Sequence, residues 1–151
     1  MQELTLLKKA FADGKVPKSA TYCFLDHCPT KDNCIHHLCG CCKSPTLDRG
    51  RAVFPSALHD DRCRYFAPLR IVRMAWGFSR LFDDVKTKDA KKLRAELYTL
   101  FGSKGQYYRY KLGQAKLLPE LQEDVKRLFA EHGYEAAEFD HFTDELDLSK
   151  C

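Results

Sequence analysis

Residues 23–42 read CFLDHCPTKDNCIHHLCGCC, and this stretch holds six of the chain's eight cysteines. A seventh, Cys63, follows in the sequence CRYFAP, so seven cysteines lie within 41 residues. Such a density of cysteines predicts either a bound metal or a set of disulfides. The opening residues, MQELTLLKKAFADGK, contain neither the apolar core nor the small-residue cleavage site of a signal peptide. We therefore expect a cytoplasmic protein, in which thiols stay reduced and a cysteine cluster more often binds metal.

The spacing of the cysteines indicates which of them bind the metal. Zinc takes about four nitrogen or sulfur ligands in a tetrahedral arrangement, and structural zinc sites are typically closed. The first three cysteines are separated by four and five residues, which is wider than a common zinc knuckle and implies no standard finger. A fourth ligand near the start of the helical region would tie the two regions together. We predict a zinc site formed by Cys23, Cys28, Cys34 and Cys63.

Other ligand sets stay open at this stage. Cys39 competes for the fourth position, and His36 or His37 could also serve. Four thiolates could equally hold an iron–sulfur cluster, so iron is the alternative to zinc. In either case, metal binding would supply the free energy that orders this segment, which its small hydrophobic core cannot supply.

The charge of the chain is unevenly distributed. Hydrophobic residues make up 44% of the 151 residues and the net charge is +4, which is typical of a globular domain. Residues 64–116 carry thirteen Lys and Arg against four Asp and Glu, whereas residues 117–151 carry three against ten. The basic middle suits a polyanionic partner, unless the acidic end neutralises it within the fold. No run approaches the ~18 apolar residues of a membrane span, so we expect no membrane association.

Apolar residues at helical spacing predict a series of helices. They are expected over residues 3–13, 74–84, 87–101, 104–112 and 119–132. Ser103 forms a capping-box pattern with Gln106, and Pro119 suits the first turn of a helix. The Cys-rich segment lacks apolar periodicity and is expected to contain at most a short helix near 32–39 and a short strand near 52–54.

These patterns predict a mainly α protein, in which an irregular Cys-rich metal-binding segment precedes a small helical bundle. The expected parts are an N-terminal helix and linker at 1–20, the Cys-rich segment at 21–68, the helical module at 69–135 and an acidic tail at 136–151. Three aromatic residues close to or within the acidic end could pack back on the bundle: Tyr134, Phe139 and Phe142.

The stretch AELYTLFGSKGQYYRYKLGQ, at residues 95–114, resembles the second and third helices of phage-repressor-like DNA-binding domains. We therefore predict a helix-turn-helix-like unit at 87–112 that binds double-stranded DNA. At about 100° per residue, Tyr108 and Leu112 point the same way and are expected to dock on the bundle. Arg and Gln can pair with base edges, and Lys and Arg contact phosphates. The expected DNA contacts are Lys104, Gln106, Arg109, Tyr110, Lys111, Lys91, Lys92 and Arg94.

Several stretches together resemble an uncharacterised family of small bacterial proteins. They are CFLDHCPTKDNC, CRYFAP, WGFSRLFDDV, FGSKGQYYRYKLG and LFAEHGY. The resemblance covers most of residues 22–140 and implies a Cys-rich module followed by a helical module. It also implies family counterparts to Cys23, Cys28, Cys34 and Cys63. The His- and Cys-rich run at 36–42 departs from the family pattern, and the family brings no established activity.

No catalytic motif is present: GxSxG, HExxH, the P-loop and GxGxxG are all missing, so we expect no enzymatic activity. The predicted function is that of a DNA-binding regulator stabilised by metal. One alternative is a metal-stabilised protein-interaction module that does not bind DNA. Another is a thiol redox protein or metal sensor that uses Cys39, Cys41 and Cys42. Cys151 is expected to be unrelated to the cluster, and no heptad pattern indicates an oligomeric state.

Overall fold

The computed structural model describes residues 2–151; Met1, the first residue of the expected segment 1–20, lies outside the described residues. Within residues 2–151 the chain forms five α-helices and six short β-strands, so the fold is mixed and rich in helix rather than mainly α. It divides into two compact units. The Cys-rich unit runs as far as Ile71 and includes Leu146–Cys151, and the helical unit is Val72–Glu145. No helix in the described part combines the length and the hydropathy needed to cross a bilayer.

Two helices form the frame of the Cys-rich unit. Helix α1 (Gln2–Ala12) buries Leu7 and ends before Gly14, whose φ of 68° stops the helix as predicted. Helix α2 (Ile35–Cys42) follows a 3-10 turn at Lys31–Asn33, close to the short helix expected there. The buried residues of the core between these elements are Leu7, Ile35, Cys39, Ala67, Leu69 and Leu146.

Four two-residue strands order the rest of the Cys-rich unit. They are β1 (Thr21–Tyr22), β2 (Arg51–Ala52), β3 (Leu58–His59) and β4 (Arg62–Cys63). β1 pairs in parallel with β2, and β3 and β4 form an antiparallel hairpin that sets Leu58 opposite Cys63. The hairpin turn consists of Asp60 and Asp61 at φ values of 48° and 62°, a region that aspartate tolerates better than most residues. These short pairings set the positions of the cysteines.

The chain passes into the helical unit along β5 (Ile71–Trp76) and leaves it along β6 (His141–Leu146). The two strands pair in one sheet. Asp140, just before β6, accepts hydrogen bonds from the backbone N–H groups of Ser79 and Arg80 at 3.0 and 2.8 Å. This carboxylate therefore ties the turn after β5 to the start of β6.

The predicted helix over 74–84 is wrong. Strand β5 occupies its first part, and a 3-10 turn at Arg80–Phe82 follows. Ala75 exchanges two backbone hydrogen bonds with Leu117, at 3.2 and 2.8 Å. The buried amide of Gln122 donates to the Leu117 carbonyl at 2.9 Å and to a β5 carbonyl 49 residues away in sequence at 2.8 Å. The strand forms because distant partners satisfy its backbone groups, which local apolar spacing does not reveal.

The three helices predicted after residue 86 are confirmed. They are α3 (Thr87–Phe101), α4 (Lys104–Lys111) and α5 (Pro119–Glu131). Gly102, at a φ of 91°, ends α3 in the left-handed conformation that favours glycine. Ser103 caps α4, because its hydroxyl oxygen accepts a hydrogen bond from the Gln106 N–H at 3.1 Å. Pro119 occupies the first turn of α5, where its missing N–H is tolerated.

Aromatic side chains dominate the core of the helical unit. Tyr107, Phe129 and Phe139 are its largest fully buried side chains. Phe139 belongs to the expected acidic tail, and Tyr134 and Phe142 also pack against this core, so the prediction that these aromatics return to the bundle is confirmed. The other buried members are Ala75, Phe78, Leu81, Leu93, Leu97, Leu117, Val125 and Ala137.

Candidate metal centre and nucleic-acid interface

Helix α2 positions the first and third predicted metal ligands. Cys23 follows β1, and its N–H donates to the His36 carbonyl of α2 at 2.9 Å. A Cβ on Gly40 would lie 2.4 Å from the Cys23 carbonyl oxygen, so only glycine allows this approach. Cys34 is the N-cap residue of α2, and its side chain makes no capping hydrogen bond. The Cys34 sulfur therefore stands at the N-terminus of α2 and is not used by the helix as a cap.

The β3–β4 hairpin brings in the most distant of the predicted ligands. Cys23, Leu25 and Cys28 form a small buried cluster, and Leu58 packs against it. Because Leu58 is the cross-strand partner of Cys63, the hairpin carries Cys63 to the same region. Cys28 is buried and Cys63 is partly exposed.

The pKa of the Cys23 thiol is affected by the other three predicted ligands. Burial raises the pKa of the Cys23 thiol above its ordinary value, and a hydrogen bond from the Leu25 backbone N–H opposes this. The thiols that raise the Cys23 pKa further are Cys34, Cys28 and Cys63. All four predicted ligands thus lie in one neighbourhood. Among residues 2–151, however, no three His, Cys, Asp or Glu side chains are arranged to hold a metal ion, so the cluster is looser than a coordination sphere.

Three of the four sulfurs interact with a group two residues further along the chain. The Cys63 sulfur accepts a hydrogen bond from the Tyr65 N–H at 3.4 Å. The Cys28 sulfur lies 3.4 Å from the Thr30 hydroxyl oxygen, and Cys23 repeats the pattern through a backbone N–H. The thiolate is the form of cysteine that binds metal, so a bound cation would have to offset the burial that raises the pKa of Cys23.

His37 is the buried histidine of α2 and has an unpartnered nitrogen. Its Nδ1 forms no hydrogen bond with any residue in the described part of the chain. Its Nε2 lies 4.0 Å from the Asp26 carboxylate, which is too far for a hydrogen bond. His36 differs, because its Nδ1 lies 3.1 Å from the Thr21 carbonyl oxygen. A buried polar atom without a partner is rare in folded proteins, so His37 stays an alternative fourth ligand.

Cys39 occupies a different place in the Cys-rich unit. Its sulfur lies 2.9 Å from the Cys151 sulfur, in the core that contains Leu7 and Ile35. The expectation that Cys151 is unrelated to the other cysteines is therefore wrong. The two residues are 112 positions apart, and no feature of the sequence links them.

A cleft of about 620 Å³ opens beside β2 and the β3–β4 hairpin. Its charged and aromatic lining consists of His36, Arg51, Phe54, His59, Arg64 and Tyr65. Phe54 and Tyr65 are each more than half exposed, and the Arg64 guanidinium lies 6.0 Å from the Tyr65 ring centre. The predicted sites did not include this cleft, although arginines alternate with aromatic residues over residues 51–66 and could have indicated it.

Helix α4 faces the core with Tyr107 and not with Tyr108 and Leu112, so the predicted docking face is wrong. Tyr107 is 2% exposed, whereas Tyr108 is 38% and Leu112 is 65% exposed. The Tyr107 ring packs 5.1 Å from that of Phe78 and edge-on, 5.0 Å away, against that of Tyr98. Helical geometry fixes which residues share a face, but this aromatic pocket decides which face turns inward.

Helix α4 also presents cations to solvent. Lys104, Arg109 and Lys111 are exposed, and within residues 2–151 none of them takes part in an ion pair. Arg109 donates a hydrogen bond to the Gln106 side-chain oxygen at 3.2 Å. The Lys111 ammonium lies 5.6 Å from the centre of the Tyr108 ring. Five of the predicted DNA contacts therefore lie on one short helix, three of them as exposed positive charges.

The remaining predicted DNA contacts are less uniform. Lys91 and Lys92 of α3 are exposed to solvent. The Arg94 guanidinium lies over the Phe82 ring at 5.1 Å, which occupies one of its faces. Tyr110 is half-buried against the core and offers little surface to a ligand.

Comparison with known proteins identifies a family and no individual relative. A family model described as a family of unknown function, DUF6078, matches residues 6–148. No curated protein and no solved structure matches the chain. The prediction of an uncharacterised family is confirmed, and any function has to be argued from the sites themselves.

Proposed function

We propose that this chain, which belongs to the DUF6078 family, binds double-stranded DNA through α4 and holds a zinc ion in its Cys-rich unit. The observation that carries the proposal is the set of exposed cations along α4: Lys104, Arg109 and Lys111 have no carboxylate partner in the described part of the chain. Unpaired cations of this kind are available to phosphates, whose neutralisation dominates the affinity of proteins for DNA.

The dimensions of α4 suit the major groove. An α-helix with its side chains is about 10–12 Å across, and the major groove of B-DNA is about 12 Å wide. Helix α3, the turn at Gly102 and α4 would act as a helix-turn-helix-like unit. The capped N-terminus of α4 would approach a phosphate, and Arg109, oriented by Gln106, would pair with the edge of a guanine. Lys91 and Lys92 of α3 would contact the backbone.

Fluorescence polarisation with a labelled duplex of generic sequence tests this proposal. Non-specific DNA binding typically has a Kd of about 10⁻⁴–10⁻⁶ M at physiological salt and tightens as salt is lowered. We expect binding in the micromolar range or tighter at about 50 mM salt. Absence of binding at low salt, where phosphate contacts are strongest, would refute the proposal.

A triple variant, Lys104→Ala with Arg109→Ala and Lys111→Ala, assigns the binding face. If Lys104 and Lys111 each contact one phosphate and Arg109 contacts a base, the slope of log K against log salt should become shallower by about 1.8. Arg127→Ala is the matched control, because this exposed cation lies on α5 and is already paired with Asp124 at 3.2 Å. Equal slopes for the triple variant and the parent would show that α4 is not the docking helix.

The zinc proposal is supported by the chemistry of the donor set. The Cys23 thiol has the thiols of Cys28, Cys34 and Cys63 near it, and the sulfurs of Cys28 and Cys63 each contact a polar group two residues further along. Cys34 stands at the N-terminus of α2. A metal bound here would link β1, α2 and the β3–β4 hairpin, which are too short to be stable alone.

Elemental analysis of protein purified without a histidine tag, together with its visible absorption spectrum, tests the metal. We expect about one zinc per chain and no colour. Iron with brown absorbance would replace zinc by an iron–sulfur cluster, and metal-free protein would refute the site. If Cys63 is the fourth ligand, Cys63→Ser should lower the metal content. If His37 is the fourth ligand instead, His37→Asn should lower it. Cys41→Ser, at an exposed thiol, is the control.

A second candidate function is the binding of single-stranded nucleic acid in the cleft of the Cys-rich unit. The specific observation is the pair of exposed rings, Phe54 and Tyr65, beside Arg51 and Arg64. Bases stack on such rings while cations track the phosphates. Tyr65→Ala should weaken single-strand binding by roughly 5- to 150-fold, the equivalent of about 1–3 kcal/mol per stacked base.

Competition between single-stranded and duplex probes separates the two candidates. If the duplex binds more tightly and only the α4 variants weaken it, duplex binding through α4 is favoured. If the single strand binds more tightly and Tyr65→Ala weakens it, single-strand binding in the cleft is favoured. A chain that binds neither probe would favour the protein-interaction module, for which the exposed Leu112 of α4 is a contact surface.

A further inference from the structure

Cys39 and Cys151 meet sulfur to sulfur inside the Cys-rich unit. Their Sγ atoms are 2.9 Å apart, with Cys39 fully buried and Cys151 partly exposed. A disulfide has an S–S distance of about 2.05 Å, so bond formation requires an approach of roughly 0.9 Å. This contact lies outside the proposed zinc ligands and outside α4.

The turn that carries Cys151 is held by its own hydrogen bonds. The buried Asp147 carboxylate accepts from the Arg70 guanidinium at 2.9 and 3.0 Å and from the Ser149 N–H at 3.0 Å. The Cys151 N–H donates to the Leu148 carbonyl at 3.1 Å. The backbone therefore presents Cys151 to Cys39 through contacts that do not involve either sulfur.

The two thiols differ in their protonation. The hydrogen bond with Cys151, together with burial, raises the pKa of the Cys39 thiol far above its ordinary value. The same hydrogen bond lowers the pKa of the Cys151 thiol, although burial opposes this. The lower pKa of the two therefore belongs to Cys151. The geometry assigns the roles independently: Cys151 is partly exposed, so an oxidant in solvent can reach its sulfur, whereas Cys39 is fully buried and can be reached only by Cys151.

We propose that Cys39 and Cys151 form a reversible disulfide when the protein meets a peroxide, with Cys151 as the attacking sulfur and Cys39 as the resolving sulfur. The Cys151 thiolate first attacks one oxygen of hydrogen peroxide. An S–O bond forms as the O–O bond breaks, hydroxide leaves, and Cys151 becomes a sulfenic acid. The oxidant is the peroxide, whose reduction takes two electrons.

The second step closes the disulfide. Cys39 gives its proton to the hydroxide, which becomes water, and the Cys39 sulfur attacks the Cys151 sulfur. The S–S bond forms as the S–O bond breaks, and a second hydroxide leaves and takes a proton from solvent. The two sulfurs together lose two electrons, and one peroxide is reduced to two waters. The product fastens residues 146–151 covalently to α2.

Oxidation of the full chain with equimolar hydrogen peroxide tests the proposal. Free thiols are then blocked with N-ethylmaleimide, and the protein is digested and mapped by mass spectrometry. We expect a cross-link between the peptides that contain Cys39 and Cys151, removed by dithiothreitol, with slower hydrogen exchange over residues 146–151. Cys151→Ser should abolish the cross-link, and Cys41→Ser should retain it. Linkage of other cysteines, or an unmodified Cys151 thiol, would overturn the proposal.

A second measurement tests the assignment of the two roles. The rate at which iodoacetamide alkylates Cys151, followed by mass spectrometry across pH, reports the fraction of thiolate at that position. Cys39→Ala removes the sulfur that is hydrogen-bonded to Cys151 and lowers its pKa, so the midpoint for Cys151 should move to higher pH. An unchanged midpoint would show that Cys39 does not activate Cys151. Because α4 and the zinc ligands are intact in this variant, a failure here leaves the proposed function unaffected.

Discussion

Replacing Tyr107 with alanine should destabilise the helical unit by about 3–5 kcal/mol, the usual effect of truncating a fully buried aromatic side chain. Tyr107 is 2% exposed and packs against the rings of Phe78 and Tyr98 at 5.1 and 5.0 Å. Small domains have a free energy of unfolding near the lower end of about 5–15 kcal/mol. The loss would therefore leave the unit only marginally folded.

Two further substitutions show which part of Tyr107 matters and whether its neighbour could take its place. Tyr107→Phe removes only the hydroxyl, whose pKa burial raises and the nearby Arg94 charge lowers, and should lower the stability by about 1.5 kcal/mol or less. Tyr108→Ala removes a ring that is 38% exposed and touches Tyr107 only edge-on, so its effect should be about 1 kcal/mol or less.

Urea unfolding followed by tryptophan fluorescence measures these differences. The chain has one tryptophan, Trp76, which lies in the helical unit and stacks on His141 at 5.0 Å. Its emission therefore reports the unfolding of the unit that contains α4. If Tyr108→Ala lowers the midpoint as much as Tyr107→Ala, then the inward face of α4 is assigned incorrectly and the exposed cations are too.

Three other outcomes follow from the structure. Burial would raise the pKa of Asp147, but hydrogen bonds from Ser149 and Arg70 outweigh it and hold this pKa below its ordinary 3.8. The ionised carboxylate therefore stabilises the folded protein above pH 3.8. This stabilisation is lost as the pH falls through the pKa that Asp147 has in the folded protein. Asp147→Asn should therefore lower the free energy of unfolding by about 1.5–3 kcal/mol at pH 7, and the gap between variant and parent should narrow at pH 3; a constant gap would contradict the assignment. Gly113→Ala should destabilise by more than about 1 kcal/mol, measured by circular dichroism in urea, because its φ is 76° and the new Cβ would lie 2.7 Å from the Trp76 ring. Gly105→Ala, with open space inside α4, should instead stabilise by about 0.5–1 kcal/mol, and a loss of stability there would argue against the helix.

Much of the helical unit was predictable because its signals are local. The stop at Gly102, the cap at Ser103 and the start at Pro119 each act within one helical turn, and the bounds of α3, α4 and α5 follow from them. The four predicted zinc ligands are likewise identified by residue type and spacing, and the electrostatics of Cys23 place the other three thiols near it. The metal itself and its full ligand set stay predictions.

Other features could not be predicted, because they depend on groups far apart in the chain. Residues 71–76 have an apolar spacing compatible with a helix, yet they form a strand whose backbone partners include Leu117 and β6. The cleft of the Cys-rich unit is likewise assembled from β1, α2 and the residues around the β3–β4 hairpin. Neither arrangement has a signature within a single window of sequence.

The amino-acid sequence alone established where the chain becomes helical, which cysteines can serve as ligands and which short segment carries the exposed positive charge. These properties depend on hydrogen bonds, caps and residue types within a few positions. The tertiary structure was needed to show that Tyr107 rather than Tyr108 enters the core and that Cys151 lies against Cys39. Both outcomes depend on packing between residues that meet only after the chain has folded, since a buried pocket selects the side chain that fills it and excludes its neighbour.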